Sequence, residues 1–321
     1  MDKKELNICI ASDDNYAEHM HIAIFSLIYN LNRDCSCNVY ILDWWITEQK
    51  KERIKNMEDN FKNLKIKFIS MDWEKYSKLP ILHHLTKEMY YRIEIPNLFL
   101  EVEKMVYLDC DVIINRDLSK ILDYDVENYA IGAPNDFWSY NAYKNILNIP
   151  SNCKYFNSWV LLMNLDYWRK NDISKSIFDY VNDNSKWLVT WDQDAINAVC
   201  YDKRLVLPLK YNATALASQA INWNFPRKEY HEAKHNPVII HYACAKPWNK
   251  WCFHAKKKLY HKYRKLAWLP NIQYPKWFDF PRLRKSIFEV VWNFLIAAIP
   301  SNIYYYLVRK PKMFLSKFIK F

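Results

Sequence analysis

A chain of 321 residues, half of them apolar and 17% aromatic, has the material for a sizeable core and excludes a disordered polymer. Its one glycine, Gly132, excludes both the Gly-rich P-loop and the G-x-G-x-x-G dinucleotide turn, so any nucleotide must be gripped by other means. The net charge of +11 lies at one end: residues 255–321 carry 15 Lys or Arg against 2 Asp or Glu, and the rest carries 31 against 33. This divides the chain into a near-neutral body, 1–253, and a basic, aromatic region, 254–321.

Taken in chain order, "LNICIA" predicts a strand entered almost directly, with no apolar leader before it. A helical pattern runs from Ala17 to Leu31, and "NVYILD" reads as a second strand. Thr47 then caps a charged amphipathic helix, with Lys50 where a capping box has Glu. "LKIKFIS" is a third strand, "LTKEMYYRIEIP" a helix ended by Pro96, and "KMVYLD" a fourth strand. "WVLLMNL" and "PVIIHYA" are further strands, and "DQDAINAVC" opens a helix. This alternation predicts an α/β fold, a mostly parallel, Rossmann-like, doubly wound sheet flanked by helices. Ligands of such sheets sit beyond the carboxyl ends of the strands, which brings residues 10–16 and 109–111 to one crevice.

Eight cysteines with no C-x-x-C spacing fit a reducing, cytoplasmic setting better than a metal or disulfide framework. "HEAKH", residues 231–235, has the spacing of a zinc-protease helix, but its polar surroundings between Pro226 and Pro237 predict a solvated loop or short helix instead.

The stretch "MVYLDCDVII" sets Asp109 and Asp111 one residue apart. On a strand they share a face. At about 6 Å and an effective dielectric of about 20, two such carboxylates repel by roughly 3 kcal/mol. A cation between them relieves this, and hard oxygen ligands beside phosphate suit Mg²⁺ or Mn²⁺. An isolated D-x-D is equally a way to end a strand and solvate a turn, and the pair alone leaves both readings open.

In the basic region, "KKKLYHKYRKLAWL", "PKWFDFPRLRK" and "YYYLVRKPKMFLSKFIKF" mix cations with aromatic rings. The apolar run "SIFEVVWNFLIAAIP" between them contains Glu289 and, at about fifteen residues, is short for a membrane span. Such a pattern suits the interface of an anionic membrane. Single-stranded nucleic acid is the rival ligand, and the clustered Leu, Ile and Phe favour lipid over it, so no nucleic-acid partner is expected.

"ASDDNYAEHM", "MVYLDCDVIINRDL", "YFNSWVLLMNLDYWRKNDI", "WDQDAINAV" and "IIHYACAKPWNKW" occur in that order. Together, over roughly residues 6–255, they resemble glycosyltransferase family 8, retaining sugar-nucleotide transferases that include bacterial lipopolysaccharide galactosyl- and glucosyltransferases. The resemblance implies a GT-A type fold and a UDP-galactose or UDP-glucose donor. It further implies a glycan or lipid-linked glycan acceptor of the bacterial surface, lipopolysaccharide or capsule, reached from the inner face of the membrane. Mn²⁺ (or Mg²⁺) is implied at Asp109 and Asp111, with His241 as third ligand. Ala11, Asp13, Asn15 and Tyr16 match the uridine-gripping positions, and an ordinary loop and helix cap is the local alternative for this stretch. Arg92 and Asn157 match donor contacts and Lys246 a phosphate contact. Asp192, Gln193 and Asp194 match the positions beside the anomeric carbon. There, a weakly basic Gln193 amide favours a front-face route in which it positions the sugar. The chain departs from the family where "FNSW" replaces the usual "FNAG", setting Ser158 and Trp159 in place of two small residues, and where the glycine after the histidine is missing. A non-catalytic nucleotide-sugar binder and a metal-dependent nuclease or phosphotransferase are the rival functions.

Overall fold

A computed structural model describes residues 4–71, 90–136, 147, 149–150, 152–185, 188, 190–214, 226–243, 246–252 and 254–273. Strand β1 (Glu5–Asp13) is the apolar run expected of a strand covered on both faces, with Ile8, Cys9 and Ile10 fully buried. Helix α1 (Ala17–Asn30) follows, then β2 (Ser36–Trp44), α2 (Glu48–Lys55), the single turn α3 (Met57–Asn60) and β3 (Leu64–Ser70). Next come α4 (Tyr91–Leu98), β4 (Lys104–Leu108), β5 (Val112–Ile114), β6 (Ile131–Pro134) and β7 (Val160–Asn164). The remainder is α5 (Leu165–Lys170), α6 (Ile173–Asn184), α7 (Trp191–Cys200), β8 (Arg204–Leu207), β9 (Ala213–Thr214), α8 (Arg227–His235), β10 (Ile239–His241) and α9 (Lys257–Leu266).

Seven strands form one sheet in the order β3-β2-β1-β4-β7-β6-β8. All neighbours are parallel except β7, which runs antiparallel to both β4 and β6. Successive residues of β4 feed opposite cores: Val106 and Leu108 pack with α1, while Met105 and Tyr107 pack on the side of α4, α6 and α7. The chain order reverses between β1 and β4, and a crevice opens at such a switch point beyond the strand ends.

A second sheet, β5-β10-β9, stands beside the crevice. It pairs His241 with Val112 and with Thr214, so the end of β10 is held directly against the residues that follow the aspartate pair. Gly132 lies inside β6, where a Cβ would come 3.3 Å from the Leu207 side chain, so the lone glycine serves close strand packing.

Three local expectations are corrected. Pro96 does not end its helix: α4 continues to Leu98, and the Phe99 N–H donates to the Ile95 carbonyl 3.2 Å away. Proline's fixed φ is compatible with helix, and only one carbonyl in the preceding turn loses its donor. Thr47 precedes α2 but its side chain makes no cap; its hydroxyl and its N–H both donate to Asp14 Oδ1 at 2.9 Å. A charged acceptor outcompetes the capping role, and Lys50 completes the arrangement by donating to Asp14 Oδ2 at 2.6 Å. Finally, β4 stops at Leu108, so Asp109, Cys110 and Asp111 occupy the turn between β4 and β5 and not the strand itself.

The basic region begins inside the folded body. Tyr260, Tyr263, Ala267 and Leu269 are buried in the same core as α1, and Arg264 forms a 2.9 Å ion pair with Glu18. Most of the basic, aromatic tail expected from the sequence, residues 274–321, lies outside the described residues. Among the described residues no helix is long and apolar enough to cross a membrane.

Candidate active site

The crevice holds a cavity of about 300 Å³ lined by Ala11, Ser12 and Asp13 from the end of β1, Tyr16 from the turn before α1, Arg92 from α4, Tyr107 from β4, Asp109, Cys110 and Asp111 from the turn after it, and Lys246. The Cys110 thiol donates to the Ala11 carbonyl at 3.0 Å, stitching the two strand ends together. This gives the residue between the aspartates a structural task.

Asp13 has both its oxygens engaged locally: Oδ1 accepts from the Tyr16 N–H at 2.8 Å and Oδ2 from the Asn15 amide at 2.9 Å. Asn15 is exposed, is not part of the cavity wall, and acts through Asp13. Tyr16 stands edge-on to Trp248, which stacks on His19 with ring centroids 3.5 Å apart.

Asp109, Asp111 and His241 bring three ligand atoms within 4.8 Å of one another, and they are the one such group among the described residues. His231 and His235 are exposed on α8 and join no such cluster. Asp111 Oδ1 lies 3.1 Å from His241 Nε2, and its Oδ2 accepts from the Lys246 ammonium. Behind the imidazole, Nδ1 lies 2.8 Å from Asn212 Oδ1, and the Asn212 amide donates to Asn157 Oδ1 at 2.7 Å. Trp159 meets the His241 ring edge-to-face, with centroids 5.2 Å apart. Two carboxylates and one imidazole, hard oxygens with a borderline nitrogen, fit a divalent cation of the Mn²⁺ or Mg²⁺ kind.

The two carboxylates are electrostatically unequal. Burial pushes the Asp109 carboxyl up, against the pull of Arg92. Burial opposes ionisation of Asp111 too, but Lys246 and His241 together hold it well below the usual carboxylate range.

Arg92 joins this pair to the helix behind it. Its Nη2 lies 3.3 Å from Asp109, its Nε 3.0 Å from Asp192 Oδ2, and its Nη1 donates to the Ser158 carbonyl at 2.6 Å. The guanidinium also sits 4.5 Å over the Tyr107 ring. Burial raises the Asp192 carboxyl to about 6 despite that neighbour. The Arg92–Asp192 contact lacks hydrogen-bond geometry, which leaves Asp192 Oδ2 without a donor.

Gln193 is 2% exposed. Its Oε1 accepts from the Ser158 N–H at 2.9 Å and its Nε2 donates to Asp136 Oδ2 at 3.1 Å. Asp194 faces away from the cavity: it accepts from the Tyr155 hydroxyl at 2.6 Å, the Thr190 N–H at 2.8 Å and the Thr190 hydroxyl at 2.7 Å, closing the first turn of α7. The structure therefore brings Ala11, Asp13, Tyr16, Arg92, Asp109, Asp111 and Lys246 to one cavity, with His241 beside it. Asp192, Gln193 and Asn157 form the layer behind, and Asp194 belongs to the helix start. Sequence reasoning missed Tyr107, Asp136 and Asn212. Strand alternation two residues before Asp109 marks Tyr107, whereas no spacing marks the other two.

The chain matches Glycosyl transferase family 8 over residues 7–252. It is 32% identical to General stress protein A of Bacillus subtilis (strain 168) over 280 residues, 85% of this chain and 94% of that one. It is 27% identical to a lipopolysaccharide 1,2-glucosyltransferase of Escherichia coli over 287 residues, 86% and 83% of the two chains. The crystal structure of galactosyltransferase LgtC, in complex with donor and acceptor sugar analogs, superimposes with a TM-score of 0.72 at 24% identity, covering 84% of this chain and 98% of that one. That likeness shows the fold, a GT-A type α/β arrangement. The chain belongs to glycosyltransferase family 8 and is a glycosyltransferase.

Proposed function

We propose that the chain transfers galactose or glucose from a UDP-sugar to a bacterial surface-glycan acceptor, with retention of configuration and with Mn²⁺ held by Asp109, Asp111 and His241. One observation carries this reading: uridine-site, phosphate-site and metal-site positions from four distant parts of the sequence surround one cavity of about 300 Å³. A lipopolysaccharide glucosyltransferase among the relatives, and a galactosyltransferase of the same fold crystallised with donor and acceptor sugar analogs, support hexosyl transfer.

In this reading Tyr16 stacks on uracil, and Asp13, braced by Asn15, accepts its N–H. A divalent ion, when bound, neutralises the diphosphate and eases its departure. Lys246 leaves Asp111 to donate to a phosphate oxygen, and Arg92 keeps the remaining carboxylates apart. Asp192 Oδ2, which lacks a donor, accepts from a sugar hydroxyl. Gln193 Oε1 is already held by the Ser158 N–H, so the amide positions and does not attack, in keeping with a front-face route. The half-buried Trp159, edge-to-face with His241, sets an indole beside the site that narrows the choice of acceptor. The free cysteines among the described residues suit a reducing interior, and the basic C-terminal region suits the inner face of an anionic membrane.

The test is UDP release from UDP-galactose, UDP-glucose and other UDP-sugars, with and without Mn²⁺, in wild type and Asp111→Asn, with UDP binding read in the same samples. Slow Mn²⁺-dependent hydrolysis of one sugar, lost in the variant, is expected. UDP binding with no turnover even when glycan acceptors are supplied would favour a non-catalytic binder, and absence of both binding and turnover would reject the donor site.

A further inference from the structure

Behind the proposed metal site runs a chain of amides whose direction is set by a group that cannot turn. The Trp159 backbone N–H donates to Asn157 Oδ1 at 3.0 Å, which fixes that atom as the carbonyl oxygen. The same oxygen lies 2.7 Å from Asn212, so Asn212 must present its NH₂ there. Its own carbonyl oxygen is then the atom 2.8 Å from His241 Nδ1. An amide oxygen only accepts, so Nδ1 carries the proton. In the neutral ring Nε2 is left as a bare lone pair, and it faces Asp111 Oδ1 at 3.1 Å. Two acceptors facing each other need a cation or a proton between them.

We infer that Asn212, oriented by Asn157 and the Trp159 backbone, is a positioning residue that holds His241 as its Nδ1–H tautomer and aims the Nε2 lone pair at the aspartate pair. Asn157, Asn212 and His241 are 3%, 2% and 1% exposed, so water does not replace a lost partner cheaply. Local structure delivers each member. Asn212 immediately precedes β9, His241 ends β10, and those strands pair through His241 and Thr214. A ligand imidazole fixed through its other nitrogen binds metal more tightly and in one orientation. Asn157 thereby has a second task besides the donor contact expected of it.

This inference rests on the metal reading above, and its first test is independent of it. In metal-free protein labelled with ¹⁵N-histidine, at pH 8.5, His241 Nδ1 is expected to carry a proton. An unprotonated Nδ1 overturns the inference. The second test is Mn²⁺ titration followed by the electron-spin signal of the free ion. Asn212→Leu, which fills the space without an acceptor, is expected to bind Mn²⁺ about 10- to 100-fold more weakly than wild type. Asn212→Asp retains an acceptor for Nδ1–H and loses only the donor to Asn157, so it is expected to bind several-fold better than the leucine variant. Wild-type affinity in a folded Asn212→Leu overturns the inference. Should that variant not fold, Asn212→Asp and the tautomer decide; should wild type not bind Mn²⁺, the metal reading fails and the tautomer alone judges Asn212.

Discussion

Arg92 touches Asp109, Asp192 and the Ser158 carbonyl at once while its face covers Tyr107. The planar fork with several donors explains why arginine stands here; a lysine reaches one such partner at a time. Removing the charge leaves carboxylates buried without compensation, so Arg92→Ala is expected to cost about 3–5 kcal/mol in unfolding free energy, measured by urea titration. Arg92→Lys should fold better yet lose donor affinity. Asp192 offers a pH signature. Its carboxyl, raised by burial to about 6 from an ordinary value of about 3.9, takes up a proton more readily in the folded chain. Its contribution to stability therefore grows as pH falls through 6 and is complete below about 4, whereas above 6 ionisation costs about 3 kcal/mol. Sugar binding that needs the carboxylate runs the other way. Wild-type donor affinity is expected to fall as pH drops through about 6, and Asp192→Asn to be weak and flat across that range. The same variant should have a Tm above wild type at pH 7.5, with the gap closing toward pH 4; a gap independent of pH would refute the assignment.

At the scale of elements, the sequence was most legible where one feature decided the outcome. Continuous apolar runs located β1 and β4, which are covered on both faces, whereas the alternation of LKIKFIS, with Leu64 and Ile66 buried and Lys65 and Lys67 exposed, located β3. The same runs say nothing of direction, so antiparallel β7 in the middle of the sheet was invisible as such. The aspartate pair was read correctly as a meeting of carboxylates, but on a wrong premise. Strand geometry was to align them, and a turn stitched by Cys110 does so instead. His241, the third member of the cluster, depended on a small separate sheet, and Asn212 on an amide orientation, neither of which leaves a periodic trace. Asp172 is another local choice that pattern reading passes over. It precedes α6 with φ 50°, ψ 37° and no side-chain cap bond. A left-handed residue with a Cβ costs roughly 1–2 kcal/mol, less for Asp than for most, and the helix dipole returns part of that. Asp172→Gly is accordingly expected to leave activity unchanged and to raise stability by about 0.5–1 kcal/mol, read as a higher Tm.

Across the whole molecule, the division between neutral body and basic end is a division of charge more than of packing. Helix α9 buries Tyr260 and Tyr263 against α1, with the Tyr260 hydroxyl 2.6 Å from His19 and the Asn30 amide donating to the Tyr263 hydroxyl at 2.7 Å. His19 in turn stacks on Trp248 beside Tyr16, so the start of the basic region is mechanically continuous with the proposed nucleotide site. A chain ending at residue 256 would expose the α1 face and is expected to aggregate, whereas one ending at 273 keeps these contacts and is expected to fold. The outer side of the same helix carries Lys258, Lys262 and Lys265, all exposed at helical spacing, and Trp268, two residues past its end, is 76% exposed. Cations beside an exposed indole suit the headgroup layer of an anionic bilayer, where each Lys near the surface contributes about 1 kcal/mol. The full chain should sediment with phosphatidylglycerol vesicles, stay free of phosphatidylcholine vesicles, and detach as salt shortens the screening length. Reversing the three lysines together, Lys258→Glu, Lys262→Glu and Lys265→Glu, should weaken that binding by about 100-fold or more if α9 lies on the surface, since three lost contacts amount to about 3 kcal/mol. Full binding by this variant would assign the membrane contact to residues 274–321 alone; no binding by the wild type would remove the membrane from the picture and leave α9 as a packing element of the transferase.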